Sequence, residues 1–136
     1  MKNGTLKYYD GADFYAPYDE QKFIEAMIAC QNNEIQIVKD YDGNLNDKVE
    51  WYSTKKYAYV PEQSLLSIAS NYGNLEIVEY LIKNGAKIDD QDEYGSTPMH
   101  YAATKGNLDV IKVLHKHGAD LNKQAIKQYV RLYGID

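Results

Sequence analysis

Residues 64–86 and 97–119 are two versions of one pattern, set 33 positions apart. Ser64 aligns with Thr97, Ala69 with Ala102 and Gly73 with Gly106. Asn74-Leu75 then meets Asn107-Leu108, Ile77-Val78 meets Val110-Ile111, Leu81 meets Leu114, and Gly85-Ala86 meets Gly118-Ala119. A fixed period held over this many positions is the mark of a stacked repeat and removes most single-core folds from consideration. Each unit reads as a short helix, a tight reversal and a longer helix. The small Ala69 and Ala102 let the short helix lie close to its neighbour, and Gly73 and Gly106 allow the reversal at little steric cost. Leu75, Ile77, Val78 and Leu81 line one face of the longer helix, as do Leu108, Val110, Ile111 and Leu114. Neither pair can bury its face alone, so neighbours must stack and share a core.

A third copy lies upstream at an offset of 40: Ala29 meets Ala69, Asn33 meets Gly73, Ile35 meets Leu75, and Ile37-Val38 meets Ile77-Val78. Asn33 replaces a glycine, and Asn tolerates the left-handed conformation better than most residues. Phe23, Ile24, Met27 and Ile28 keep helical spacing in the first helix of this copy. Asp19 is placed to cap it. Residues 20–41 then form an N-terminal cap pair, and the 7 extra residues fall in an insertion at 42–62. That insertion opens on the turn signal DGNLND and continues VEWYSTKKYAYVP, where Tyr57 and Tyr59 alternate as in a short hairpin. Residues 63–91 and 92–122 are the two clear repeats. In 123–136, Ile126, Tyr129, Val130 and Tyr133 give one apolar face, as a closing cap helix requires. Residues 1–19 are polar and interrupted by Gly4, Gly11 and Pro17, which predicts an irregular arm.

The stretch Gly95, Thr97-Pro98-Met99-His100, Ala102-Ala103, Gly106, Gly118-Ala119-Asp120 closely resembles the ankyrin repeat. The resemblance implies an all-α solenoid of stacked antiparallel helix pairs with connecting β-turn or hairpin loops. It covers residues 20–136 and is most specific over 64–122. It also implies that the His100 imidazole bonds Thr97 and the neighbouring turn. The middle unit departs from it, with Ser64-Leu65-Leu66-Ser67 in place of Thr97-Pro98-Met99-His100, so the Ser67 hydroxyl would have to bond locally. His115, aligned with Ile82, is expected at a partly wet edge.

Composition narrows the partners. The formal net charge is −5. Residues 1–62 hold 7 Lys and 11 acids, and residues 63–136 hold 8 basic residues and 9 acids, so the acidity sits in the first half. A phosphate-neutralising groove needs the opposite sign, which argues against nucleic acid. A partner with a basic surface would be favoured. The single Cys30 excludes an intrachain disulfide. No apolar leader and no run of membrane-span length are present, so a cytoplasmic location off the membrane is expected, with a monomer as the default. Lysine outnumbers arginine 14 to 1, and with the Asn, Tyr and Ile usage this suggests an AT-rich genome.

Several arrangements of reactive residues have plainer structural roles. His115 and His117 lie two apart on a helix, pointing to different faces near its C-terminus, where positive character is favoured without any metal. Asp42, Asn44, Asn46 and Asp47 imitate the start of a calcium loop, but Asp47 stands where the turn glycine belongs and Ser53 where the bidentate Glu belongs. Cys30 aligns with Ser70 and Ala103, a packing place, so a buried thiol is expected rather than a nucleophile paired with His100. No phosphate-binding glycine loop and no Gly-x-Ser-x-Gly occurs. The reading is non-catalytic, without cofactor or metal.

Binding is then the expected activity. In ankyrin-like stacks the turn tips and the outward side of the short helices form a concave face. Here those places hold Gln91, Glu93, Tyr94 and Ser96 on the turn, with Asn71, Tyr72, Thr104 and Lys105 on the helices. Trp51, Tyr57 and Tyr59 add an aromatic set in the insertion. Tyr72 and Tyr94 suit anchoring, since tyrosine brings area and a hydroxyl at small entropic loss. The leading function is a protein–protein interaction module. The alternative is a bacterial immunity protein that neutralises a toxin or other enzyme by occluding its active site.

Overall fold

The computed structural model describes residues 5–10, 18–53, 58–92 and 94–120, with backbone alone for 5–10, 18–21, 49–53 and 58–62. Three helix pairs run along it. The first is α1 (Tyr18–Asn32) with α2 (Ile35–Asp40), the second α3 (Leu65–Tyr72) with α4 (Leu75–Lys83), the third α5 (Pro98–Lys105) with α6 (Leu108–Lys116). The first helices of the pairs, α1, α3 and α5, pack in one row, and the second helices, α2, α4 and α6, in another; in the first pair the lengths are reversed from the expected order, with 15 residues in α1 and 6 in α2. The core between the rows is apolar and closed: Phe23, Met27, Leu65, Ile77, Leu81, Met99, Ile111 and Leu114 are all buried. This is the all-α solenoid implied by the repeat.

The reversals fall where the period places them. Gly73 and Gly106 take φ of 72° and 71°, and Asn33 takes the same left-handed conformation at 59°. In each case the following residue donates its backbone N–H to the carbonyl five back: Glu34 to Ala29, Asn74 to Ala69, Asn107 to Ala102. These bonds close helix ends that would otherwise leave carbonyls exposed. The helix starts are capped by side chains. Thr97 Oγ1 accepts from the backbone N–H of His100 at 3.3 Å, with Pro98 at the first helical position. Ser64 Oγ performs the same task for Ser67 at 3.2 Å. The middle unit therefore keeps its cap with a serine, and the bond reaching Thr97 comes from the backbone of His100 rather than from its ring.

Successive units are tied by one repeated device. Asn74 Nδ2 donates to the carbonyls of Cys30 (2.6 Å) and Gln31 (3.3 Å) at the end of α1. One period later, Asn107 Nδ2 donates to Ser70 (2.8 Å) and Asn71 (3.1 Å) at the end of α3. The asparagine after the Gly73 reversal and the one after Gly106 thus each cap the first helix of the unit before.

Three differences from the sequence reading concern the first unit and the insertion. First, residues 5–10 form strand β1 (Thr5–Asp10) rather than irregular arm. It pairs in parallel with β2 (Lys48–Ser53), which in turn pairs antiparallel with β3 (Ala58–Ser64). The sheet order β1-β2-β3 makes the insertion's first strand the central one. The residues TLKYYD supply no strong alternation, and a partner strand some forty positions away leaves no local trace. Second, α1 begins at Tyr18, so Asp19 lies in its first turn rather than capping it. Third, Ile37 is 40% exposed although its counterparts Ile77 and Val110 are buried. Its outer helix is the first of the row, and no earlier outer helix covers it among the described residues.

Candidate functional site

The strongest geometry of the expected surface is at the turn carrying Tyr94. Asp92 organises it. Its Oδ1 accepts the backbone N–H groups of Tyr94 and Ser96, each at 2.9 Å. Its backbone N–H donates to the Ser96 carbonyl, and its carbonyl accepts from Gly95. Its Oδ2 accepts from the Tyr101 hydroxyl on α5. Burial first, then the Asp92 carboxylate, raises the Tyr101 phenol well above the usual tyrosine range, while a hydrogen bond with Gln63 acts the other way. The phenol thus stays protonated and continues to donate. One carboxylate thus ties the turn backbone to α5, and Tyr94 stands at the tip of that turn, 69% exposed.

Tyr72 ends α3 and is 53% exposed. It stands just before Gly73, so the left-handed reversal sets where its backbone ends. Thr104 and Lys105 occupy the matching places at the end of α5 and are exposed. Thr104 Oγ1 donates back to the His100 carbonyl at 2.9 Å, which orients its methyl group. Gln91 is exposed, Asn71 and Ser96 are half-buried, and Asn71 gives its carbonyl to Asn107. Trp51 lies in β2 opposite Tyr8 and Val60, and Tyr59 lies in β3 opposite Tyr52. Tyr57 and Glu93 fall outside the described residues, as does the expected cap helix 123–136.

Asp92 and Tyr101 were not picked out by sequence reasoning, though Asp92 three residues before Gly95 is a recognisable Asx-turn signal. Asn46 and Lys48 were also missed as contacts. Asn46 Oδ1 accepts from Lys87 N at 2.8 Å and its Nδ2 donates to the Gly85 carbonyl at 3.3 Å. Lys48 Nζ donates to the Gln91 carbonyl at 2.7 Å and pairs with Asp90 at 3.1 Å. Nothing local in DGNLNDK announces a contact forty residues onward.

The reactive residues are placed as packing predicts. Cys30 is buried, and burial pushes its thiol up to about 12, so no thiolate is available at neutral pH. His115 is half-buried and His117 ends α6. Among the described residues, no helix is long and apolar enough to cross a membrane.

Comparison with known proteins agrees with this architecture. A family model of three ankyrin repeats matches residues 26–125. A protein of Acanthamoeba polyphaga mimivirus named as an ankyrin repeat protein is 61% identical over 31 residues, 23% of this chain and 24% of its own length. One of Fowlpox virus (strain NVSL), similarly named, is 39% identical over 49 residues, 36% of this chain and 10% of its own length. The chain thus matches no more than a quarter of either relative. Ankyrin repeats generally serve as protein–protein interaction modules and are typically non-catalytic. With three copies matched across most of its length and three stacked helix pairs in its fold, the chain belongs to the ankyrin-repeat family.

Proposed function

We propose that this chain is a non-catalytic module that binds a protein through the concave face of its repeats together with the inserted strands. One observation carries the reading: Tyr72 and Tyr94 are large side chains left exposed on a scaffold whose other large apolar groups are mostly buried. Keeping such area in water has no stabilising role in the fold, and tyrosine is a preferred anchor where partners meet. Rigidity supports it as well. Tyr94 sits on a turn fixed by Asp92, so little ordering entropy is lost on docking. The acidic residues around the turn that Lys48 does not neutralise, Asp89 and Asp92, favour a partner with a basic surface.

The test is affinity capture followed by titration of the captured partner. Tyr72→Ala with Tyr94→Ala should weaken the complex by at least about tenfold, the loss of one or two anchor residues. Helical circular dichroism and Tm should stay within error of the parent. Unchanged affinity refutes the assignment of this face.

A further inference from the structure

Resting on that reading of the concave face, we infer that Lys48 is a positioning residue: it latches the three-stranded sheet to the tyrosine-tipped turn, so that sheet and turn form one surface. The ammonium of Lys48 sits at the first position of β2 and reaches the neighbouring turn twice, to Asp90 Oδ1 at 3.1 Å and to the Gln91 carbonyl at 2.7 Å. The pair is drawn in from solvent, the two side chains being 28% and 15% exposed. It differs in this from an exposed surface pair, which holds little. Asn46, two residues earlier, makes a second fastening to Lys87 and Gly85, earlier in the same connection from α4 to α5.

The position of the latch is what gives it a consequence. Lys48 pairs with Ser64 in the β2–β3 ladder, and Ser64 is the N-cap of α3. The hairpin is therefore tied at its base to the middle repeat by chain continuity, and by Lys48 to the end of that repeat, where the chain enters the next. Gln91, the residue Lys48 holds, opens the turn that Asp92 shapes around Tyr94. One cation thus fixes the sheet to the residues that lead into the turn of the exposed tyrosine, at the junction of two repeats.

Spin labels on Ser53→Cys and Tyr94→Cys read this directly in the full chain, since the buried thiol of Cys30 does not compete for the label. With Lys48 intact the interlabel distance distribution should be narrow. Lys48→Met should broaden it, and amide exchange across Val49–Ser53 should quicken at least about tenfold, the loss of a charge-assisted hydrogen bond. Amides of α5 and α6 should stay as slow as before, and Lys48→Arg should restore the narrow distribution. A distribution that is broad in the parent, or stays narrow in Lys48→Met, overturns the inference. So does quickened exchange throughout α5 and α6, which would make Lys48 a general stabiliser, and so does failure of Lys48→Arg to restore order. No partner enters this measurement, so it stands or falls apart from the Tyr72 and Tyr94 test.

Discussion

Asn107 offers a sharp test of how neighbouring units are joined. Its amide donates to two carbonyls at the end of α3, Ser70 at 2.8 Å and Asn71 at 3.1 Å. Asn107→Ala removes both donors. Each net hydrogen bond contributes ~0.5–1.5 kcal/mol, but the Ser70 carbonyl keeps a second donor in Gly73 N, so the expected loss is about 1–2 kcal/mol. For a chain of this size that lowers Tm by roughly 3–8 °C. Asn107→Asp is the discriminating variant. It keeps the shape but replaces the donor with a carboxylate facing two carbonyl oxygens, so it should be worse than alanine. Gly73 adds a coupling. A Cβ there would lie 3.0 Å from Cγ and Oδ1 of Asn107, at a φ of +72°. Gly73→Ala should lose ~1–2 kcal/mol to the left-handed backbone, and also part of what Asn107 contributes, because the amide is pushed off its carbonyls. The double variant should therefore lose less than the two single losses added together. Urea unfolding followed by circular dichroism gives the four stabilities of the cycle and that of Asn107→Asp, provided the m-values agree. Additivity within ~0.3–0.5 kcal/mol, or an Asn107→Asp protein as stable as the parent, would refute the reasoning.

Three further outcomes follow from buried polar groups and the exposed end of the stack. Among the described residues, Ser70 Oγ is buried without a hydrogen-bond partner, at the place held by Cys30 and Ala103 in the other units; Ser70→Ala should raise stability by about 1 kcal/mol, read as an upward Tm shift. Asp47 is buried with its Oδ2 unpartnered among the described residues, and desolvation raises its pKa. Its folded form therefore binds a proton more readily than its unfolded form, so its penalty is present at neutral pH and fades as pH falls through the raised folded value toward the ordinary carboxylate range. Asp47→Asn should be more stable than the parent at pH 7, by on the order of 1 kcal/mol, and the gap should shrink on acidification; a gap independent of pH would count against it. Ile37→Lys should leave urea unfolding within ~0.5 kcal/mol of the parent, whereas Ile77→Lys, at the buried counterpart, should prevent stable folding.

Much of the stack could be read from the chain because its determinants are local and periodic. Gly73, Gly106 and Asn33 mark reversals by backbone preference, and Ser64 and Thr97 mark helix starts by side-chain geometry. Both effects act within a few residues, so sequence spacing carries them. The Tyr72 and Tyr94 exposures were legible for the complementary reason: they stand at places where the repeat does not require an apolar group. The sheet was not legible as a sheet. Pairing β1 with β2 joins Thr5 to Lys48 and Asp10 to Ser53, and nothing within six residues specifies a partner so distant. The fastening of Asn46 and Lys48 to residues 85–91 was hidden for the same reason. Ile37 misled because the period assigns a face but not whether a neighbour exists to cover it.

The parallel pairing of β1 with β2 changes how this stack can come apart. In a simple solenoid the end unit touches one neighbour and peels away first. Here the chain leaves β1, builds α1 and α2, and returns to lie alongside its own start. The first helix pair is spanned by a clasp of backbone hydrogen bonds. Because β1 is an edge strand held by β2, the pair is freed only when β1 leaves β2 or the helices melt inside the clasp. Pulled from residue 5, the first unit should therefore yield in one step at higher force than an unclasped end repeat, with the clasp rather than the helices setting the threshold.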